Sequence, residues 1–295
     1  MTFTVLNAKR GAAPAMLTQY LSLQNLLKTY PGVIGLTWGL TLVEMAVASL
    51  TPLYIGFAID GLLAGNIAPL KTLGMLLIGM IGVAVIRRLF DTRAYGTIRV
   101  EIGRALSARH EGRSLSKVNA RLEMGRELAD FFEERIPDII GSCVQIIIAL
   151  FVLWTFQPAL LFAALAAATV MLIIYSLSHG RFFRLNGQLN HQMERQVDVL
   201  SKMRARPMWV HLNRLKRAEV RISDTEAAVY GLLFLVVVAL LLFNLWYATQ
   251  SSPVTVGQIF SIVTYTWDFA EAAIVFPVTL QHVSRLSEIT RRIND

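Results

Sequence analysis

The chain has 295 residues, 55% of them hydrophobic and only 16% charged, and its mean hydropathy is +0.52. Soluble domains carry about 25% charged residues and disordered chains are poor in Leu, Ile, Val and Phe, so both classes are excluded. The net charge of +8 fits nucleic acid, anionic lipid or a topology signal, and the single cysteine, Cys143, excludes an intrachain disulfide, a CxxC redox site and a thiolate zinc site.

Residues 1–32 read as a cytoplasmic N-terminus and an interfacial elbow helix. Met16, Tyr20, Leu23, Leu27 and Tyr30 recur at three and four residues, an apolar stripe suited to the headgroup region before Pro31 and Gly32 turn the chain inward. The alternative is a helix covered by a partner. No cleavable signal peptide is expected, because no apolar core precedes the first span.

Six stretches supply the roughly 20 apolar residues that a helix needs to cross a bilayer: 33–58, 70–90, 139–156, 159–177, 230–248 and 256–280. The first and last exceed that length, so tilt is expected. Strict alternation is missing, which excludes a membrane barrel. The predicted fold is all-α, with residues 33–295 forming one six-span domain. Spans one and two are closely connected, three and four are joined by little more than Gln157 and Pro158, and five and six by Gln250-Ser251-Ser252-Pro253.

Two longer connections, 91–138 and 178–229, are predicted to be helical hairpins that extend the spans, since segments of that size lack a core of their own. Ile98, Ile102, Ala105 and Leu106 fit a helix continuing from span two, and residues 118–136 a helix running back. Arg126 and Asp130 are expected to pair at i, i+4 on its surface. Arg206-Pro207 is expected to break the second hairpin at its tip.

Placing both termini and both hairpins on one side puts every Lys and Arg there except Lys71, with Arg87 and Arg88 at the inner end of span two. That side is cytoplasmic by the positive-inside rule. The positive charge is then a topology signal, and no nucleic-acid partner is expected.

Three carboxylates lie inside predicted spans: Glu44 in the first, Asp268 and Glu271 in the sixth. Counting from the membrane surfaces at 1.5 Å per residue puts them near one depth, with Asp268, Glu271, Thr264 and Val275 on one face. With Arg87 and Arg88 assigned to the inner surface, no cation is expected beside them. Intramembrane charges are costly and mark functional sites. One reading has Glu44, Asp268, Glu271 and Thr264 lining a central cavity that binds protons or a cationic substrate. The other has them hydrogen-bonded across helices, or facing cavity water without a dedicated role. Gln145, Asn244 and Tyr247 are expected to bond between helices, and Gly35 with Gly39 would permit close helix contact. All five histidines, His110, His179, His191, His211 and His282, are expected to be solvated, without metal-ligand spacing.

Several local patterns occur in a telling order. They are Pro52-Leu53-Tyr54-Ile55-Gly56-Phe57-Ala58-Ile59-Asp60-Gly61, then Arg99-Val100, Thr255-Val256-Gly257-Gln258-Ile259 and Ser284-Arg285-Leu286-Ser287-Glu288-Ile289. Together with the elbow, six spans and two hairpins, they resemble the membrane domain of exporter-type ABC transporters. The resemblance implies a dimer, homomeric or heteromeric, enclosing a translocation pathway, with ATP used only through a nucleotide-binding partner docked on the hairpin tips around Ser116, Arg206 and Pro207.

Three departures stand out. Asp295 ends the chain where relatives begin their ATPase domain, and neither G-x-x-x-x-G-K-[ST] nor Gly-Gly occurs; Gly56 and Gly61 have the first spacing but are followed by Leu62 and Leu63. No enzymatic activity or cofactor is therefore expected of this chain itself. The first hairpin lacks an aromatic-aromatic-acidic element near its tip, while Asp130-Phe131-Phe132-Glu133 occurs on the returning helix. The second tip has Arg204-Ala205-Arg206-Pro207 in place of a glycine-centred motif. The departures bring the chain nearest to small bacterial inner-membrane proteins made of this domain alone. Two further readings stay open: a proton-driven transporter using Glu44, Asp268 and Glu271, and a membrane scaffold that transports nothing.

Overall fold

The computed structural model describes residues 23–109, 115–194, 205–251 and 254–294. The helices in chain order are α1 (Leu23–Thr29), α2 (Pro31–Leu63), α3 (Ala68–Arg109), α4 (Leu115–Asp130), α5 (Ile136–Phe156), α6 (Pro158–Glu194), α7 (Ala205–Ser251) and α8 (Val256–Asn294). A five-residue π-helical segment, Phe131–Arg135, joins α4 to α5. Among the described residues, five helical stretches are long and apolar enough to cross a membrane: Pro31–Leu63, Ala68–Ser107, Gly125–Phe156, Pro158–Met193 and Arg206–Gln250. The chain is an all-helical, multi-pass membrane protein. The sixth predicted span falls on α8, a continuous helix of 39 residues.

Helix ends follow local chemistry. Pro31 and Pro158 each stand at the first position of a helix, where a missing N–H costs nothing. After Leu63 the chain turns through Gly65 at φ +73°, a conformation only glycine adopts freely. The Asn66 side chain then accepts from Ala68 N at 3.0 Å and starts α3.

The described residues fall into two compact units. The first holds α1 to α4, most of α5 up to Ala149, and α8 over Val256–Ser261 and from Val275 onward. Here α2 packs antiparallel to α3, and α3 in turn against α4. Ile98, Ile102, Ala105 and Leu106 are buried as their spacing predicts, in a cluster with Leu26, Ile34, Tyr95, Leu128, Ala129, Phe131 and Phe132. Leu26 of α1 is buried in that cluster, and Leu27 and Tyr30 of the elbow stripe are half-buried against it; Met16 and Tyr20 lie outside the described residues.

The second unit holds Leu150–Thr255 and Ile262–Ile274. Its centre is the α6–α7 pair, sealed by Met171, Val229, Leu233, Val237 and Ala270. The Tyr175 hydroxyl donates to Ile274 O at 2.8 Å. Large apolar side chains such as Ile78, Leu177 and Leu235 are exposed, as lipid-facing residues are.

Candidate functional site

The α2–α3 hairpin carries a polar seam. On α2, Thr37, Thr41 and Glu44 follow one another at i, i+4 and i+7; on α3, Arg87, Asp91 and Tyr95 follow at i, i+4 and i+8. These spacings align each set on one helix face. Arg87 donates to Glu44 through Nε and through Nη2, the latter at 3.3 Å, and through Nη1 to Asp91 Oδ2 at 3.0 Å. The side chains of Arg87, Glu44 and Asp91 are 20%, 15% and 4% exposed. One guanidinium thus serves two carboxylates in a nearly dry site. A turn further along α3, Tyr95 Oη lies 3.0 Å from Thr37 Oγ1.

This overturns the expectation that no cation stands beside Glu44. The omission has a geometric cause. Glu44 and Arg87 stand the same number of residues from the turn, counting back from Leu63 and forward from Ala68. In an antiparallel hairpin such residues share a level, so counting outward from the Gly65 turn would have paired them. Assigning Arg87 to the membrane surface ignored the reach of its side chain.

The second arginine cluster joins two of the sequence patterns. Arg99 donates through Nε and Nη2 to Asp130 Oδ1, at 2.8 and 2.6 Å, and through Nη2 to Glu133 Oε2 at 2.5 Å. Asp130 is therefore bonded to Arg99 across the hairpin, where an i, i+4 pair with Arg126 was expected. The π-helical segment explains how Asp130-Phe131-Phe132-Glu133 does this. Its widened turn, closed by Ile136 N donating to Phe131 O, buries both phenylalanines while the acids flank Arg99. Phe132 also stacks on Trp38 at 6.1 Å.

Two further patterns meet at the other end of α2. Gly257 N, in the first turn of α8, donates to Asp60 Oδ1 at 2.7 Å, a cap supplied by a neighbouring helix. A Cβ at Gly56 would lie 2.5 Å from Gly257 O, and one at Gly257 would lie 2.7 Å from Asp60 Oδ2. Only paired glycines allow this crossing. Gly61 is crowded in the same way by Pro69 and Asn66, so the Gly56/Gly61 spacing serves packing. Gly35 and Gly39, by contrast, face open space, with nothing within 4 Å of where a Cβ would stand, so the expected close contact is not made.

The remaining predicted site residues belong to the second unit or to the tips. Thr264 and Asp268 on α8 are half-buried and Glu271 is exposed. Among the described residues no Lys, Arg or His forms an ion pair with either acid. Asn244 Nδ2 donates to Thr266 Oγ1 at 2.8 Å, joining α7 to α8 as expected. Tyr247 stacks on Phe243 at 5.7 Å. Ser116 is the second residue of α4, and its side chain lies outside the described residues. Arg206 and Pro207 are exposed in the first turn of α7, so the proline starts that helix; the tips themselves, 110–114 and 195–204, lie outside the described residues. His179 and His191 are exposed, but His211 is buried, against expectation; His110 and His282 lie outside the described side chains. A cleft of about 270 Å³ between α6 and α7 is lined by Gln188, His191, Gln192, Arg214, Arg217 and Arg221.

The architecture can be set beside known families. The family model for the ABC transporter transmembrane region matches residues 23–257. The chain belongs to that family. No curated protein matches it. The matched range runs from α1 to the start of α8 and takes in the Arg87 and Arg99 clusters and the Gly56–Gly257 crossing. Membership makes the chain a transporter membrane subunit.

Proposed function

We propose that this chain is the six-span membrane subunit of an exporter-type transporter that dimerises around a translocation pathway. Both termini and both hairpins are cytoplasmic, and ATP hydrolysis takes place on a nucleotide-binding unit outside these 295 residues. The observation that carries this reading is the length of the helices. α3 has 42 residues and α7 has 47, which at 1.5 Å per residue is about 63 and 70 Å. A bilayer core is about 30 Å thick. Helix of that excess length, paired into hairpins, supplies lever arms that a partner can drive. Ser116, Arg206 and Pro207 stand near their ends. Affinity purification of the tagged chain in mild detergent, followed by mass spectrometry, tests the proposal. A nucleotide-binding chain at stoichiometric yield supports it, and a reproducible homodimer without one rejects the ATP-driven reading.

A second reading, transport driven by a proton gradient, is favoured by Asp268 and Glu271, two acids on α8 with no ion-pair partner among the described residues. Replacing both by amides should abolish proton-coupled flux in vesicles. Unchanged flux would remove them as carriers.

A further inference from the structure

Asp91 is 3% exposed, and its two carboxylate oxygens have different surroundings. Oδ2 accepts from Arg87 Nη1. Oδ1 is buried and receives no donor among the described residues. Arg87 gives its Nε and Nη2 to Glu44, so it holds Glu44 on two bonds and Asp91 on one.

The neighbouring hydroxyls are already committed. Thr37 Oγ1 donates its only proton to Ile34 O at 2.9 Å, which makes Tyr95 the donor in the Tyr95–Thr37 bond. Thr41 donates to Thr37 O. Among the described residues, the charged and titratable groups around Asp91 are Arg87 and Tyr95 on its own helix, Glu44 on α2 and Glu133 on the π-helical segment. Glu133 is paired with Arg99, so one cation, Arg87, is left for the two carboxylates Glu44 and Asp91, with a surplus negative charge at the least exposed member. A buried carboxylate oxygen without a donor, on a group that shares its one cation with a second acid, is costly, and the cost is relieved by taking up a proton.

We propose that Asp91 is a proton-binding site: at neutral pH the cluster holds one proton, on Asp91 Oδ1, which offsets the second carboxylate facing the single Arg87 guanidinium. The site is separate from Asp268 and Glu271 and stands whichever energy source drives transport.

Infrared difference spectra of the full chain in lipid nanodiscs, titrated from neutral to alkaline pH, test this. With Asp268 and Glu271 replaced by amides, a protonated-carboxyl C=O band is expected at neutral pH, and Asp91→Asn in that background should remove it. Should that variant fail to fold, Glu44→Gln provides the second test. It keeps the shape of the site and frees Arg87 for Asp91, so the same band should titrate at lower pH than in the unaltered chain. A band absent at neutral pH, as for a carboxylate hydrated by internal water, overturns the proposal. So does a band unchanged in both variants.

Discussion

Arg87 and Arg99 stand about three turns apart on α3, and each holds two carboxylates. At Arg87 the partners are 15% and 4% exposed; at Arg99 they are 46% and 11%. The bonding groups are the same and the surroundings are not. Asp130 is wetted, so the second negative charge on Arg99 is shared with solvent and the cluster acts as an ordinary clamp between α3 and the returning helix. Asp91 has no such outlet. Burial makes the same surplus carboxylate a charge that must be compensated inside the protein.

The sharpest way to break this comparison is to remove each arginine in turn. Arg87→Ala strips the half-buried Glu44 of its cation and Asp91 of its donor, and should destabilise the chain by about 3 to 5 kcal/mol, as breaking a buried pair does. Thermal unfolding of the detergent-purified chain reads this directly. If Arg87→Ala melts no lower than Arg99→Ala, burial is not what separates the two clusters.

How far the sequence foretold this arrangement differs between its parts. Apolar runs long enough to span a bilayer made the helices legible, and the spacing of Ile98, Ile102, Ala105 and Leu106 marked the buried face of α3. The patterns around Gly56, Asp60, Gly257 and Arg99 were also visible as patterns. What they do was not, because each acts on a partner distant in the chain: Asp60 caps α8, and Arg99 binds Asp130 and Glu133. Glu44 stands out for its cost in the membrane, but depth counted along separate helices does not reveal its partner; the hairpin register does. Nothing in the sequence marks Asp91, since its burial depends on α2 and the π-helical segment closing around it.

A charge-free perturbation calibrates the comparison. Gly257→Ala would drive a methyl group into Asp60 at the Gly56 crossing, at a cost of about 1 to 3 kcal/mol for overpacking. Its melting temperature should fall by the same amount at low and high salt. An alanine there without effect would mean that α2 and α8 separate easily, and the crossing would be no steric constraint. Arg99→Ala should cost less, about 1 kcal/mol, because Asp130, at 46% exposure, keeps its access to water.

The smallest effect discriminates most finely. Raising the ionic strength from about 0.15 to 1 M shortens the screening length from roughly 8 to 3 Å. The stability difference between the unaltered chain and Arg99→Ala should then shrink to less than about 0.5 kcal/mol, as expected for an exposed pair. The difference for Arg87→Ala should hold, because ions do not enter a site whose carboxylates are 15% and 4% exposed. Equal losses at the two sites would mean that solvent reaches Arg87 as freely as Arg99. The surplus charge at Asp91 would then be shared with water, and nothing would hold a proton there.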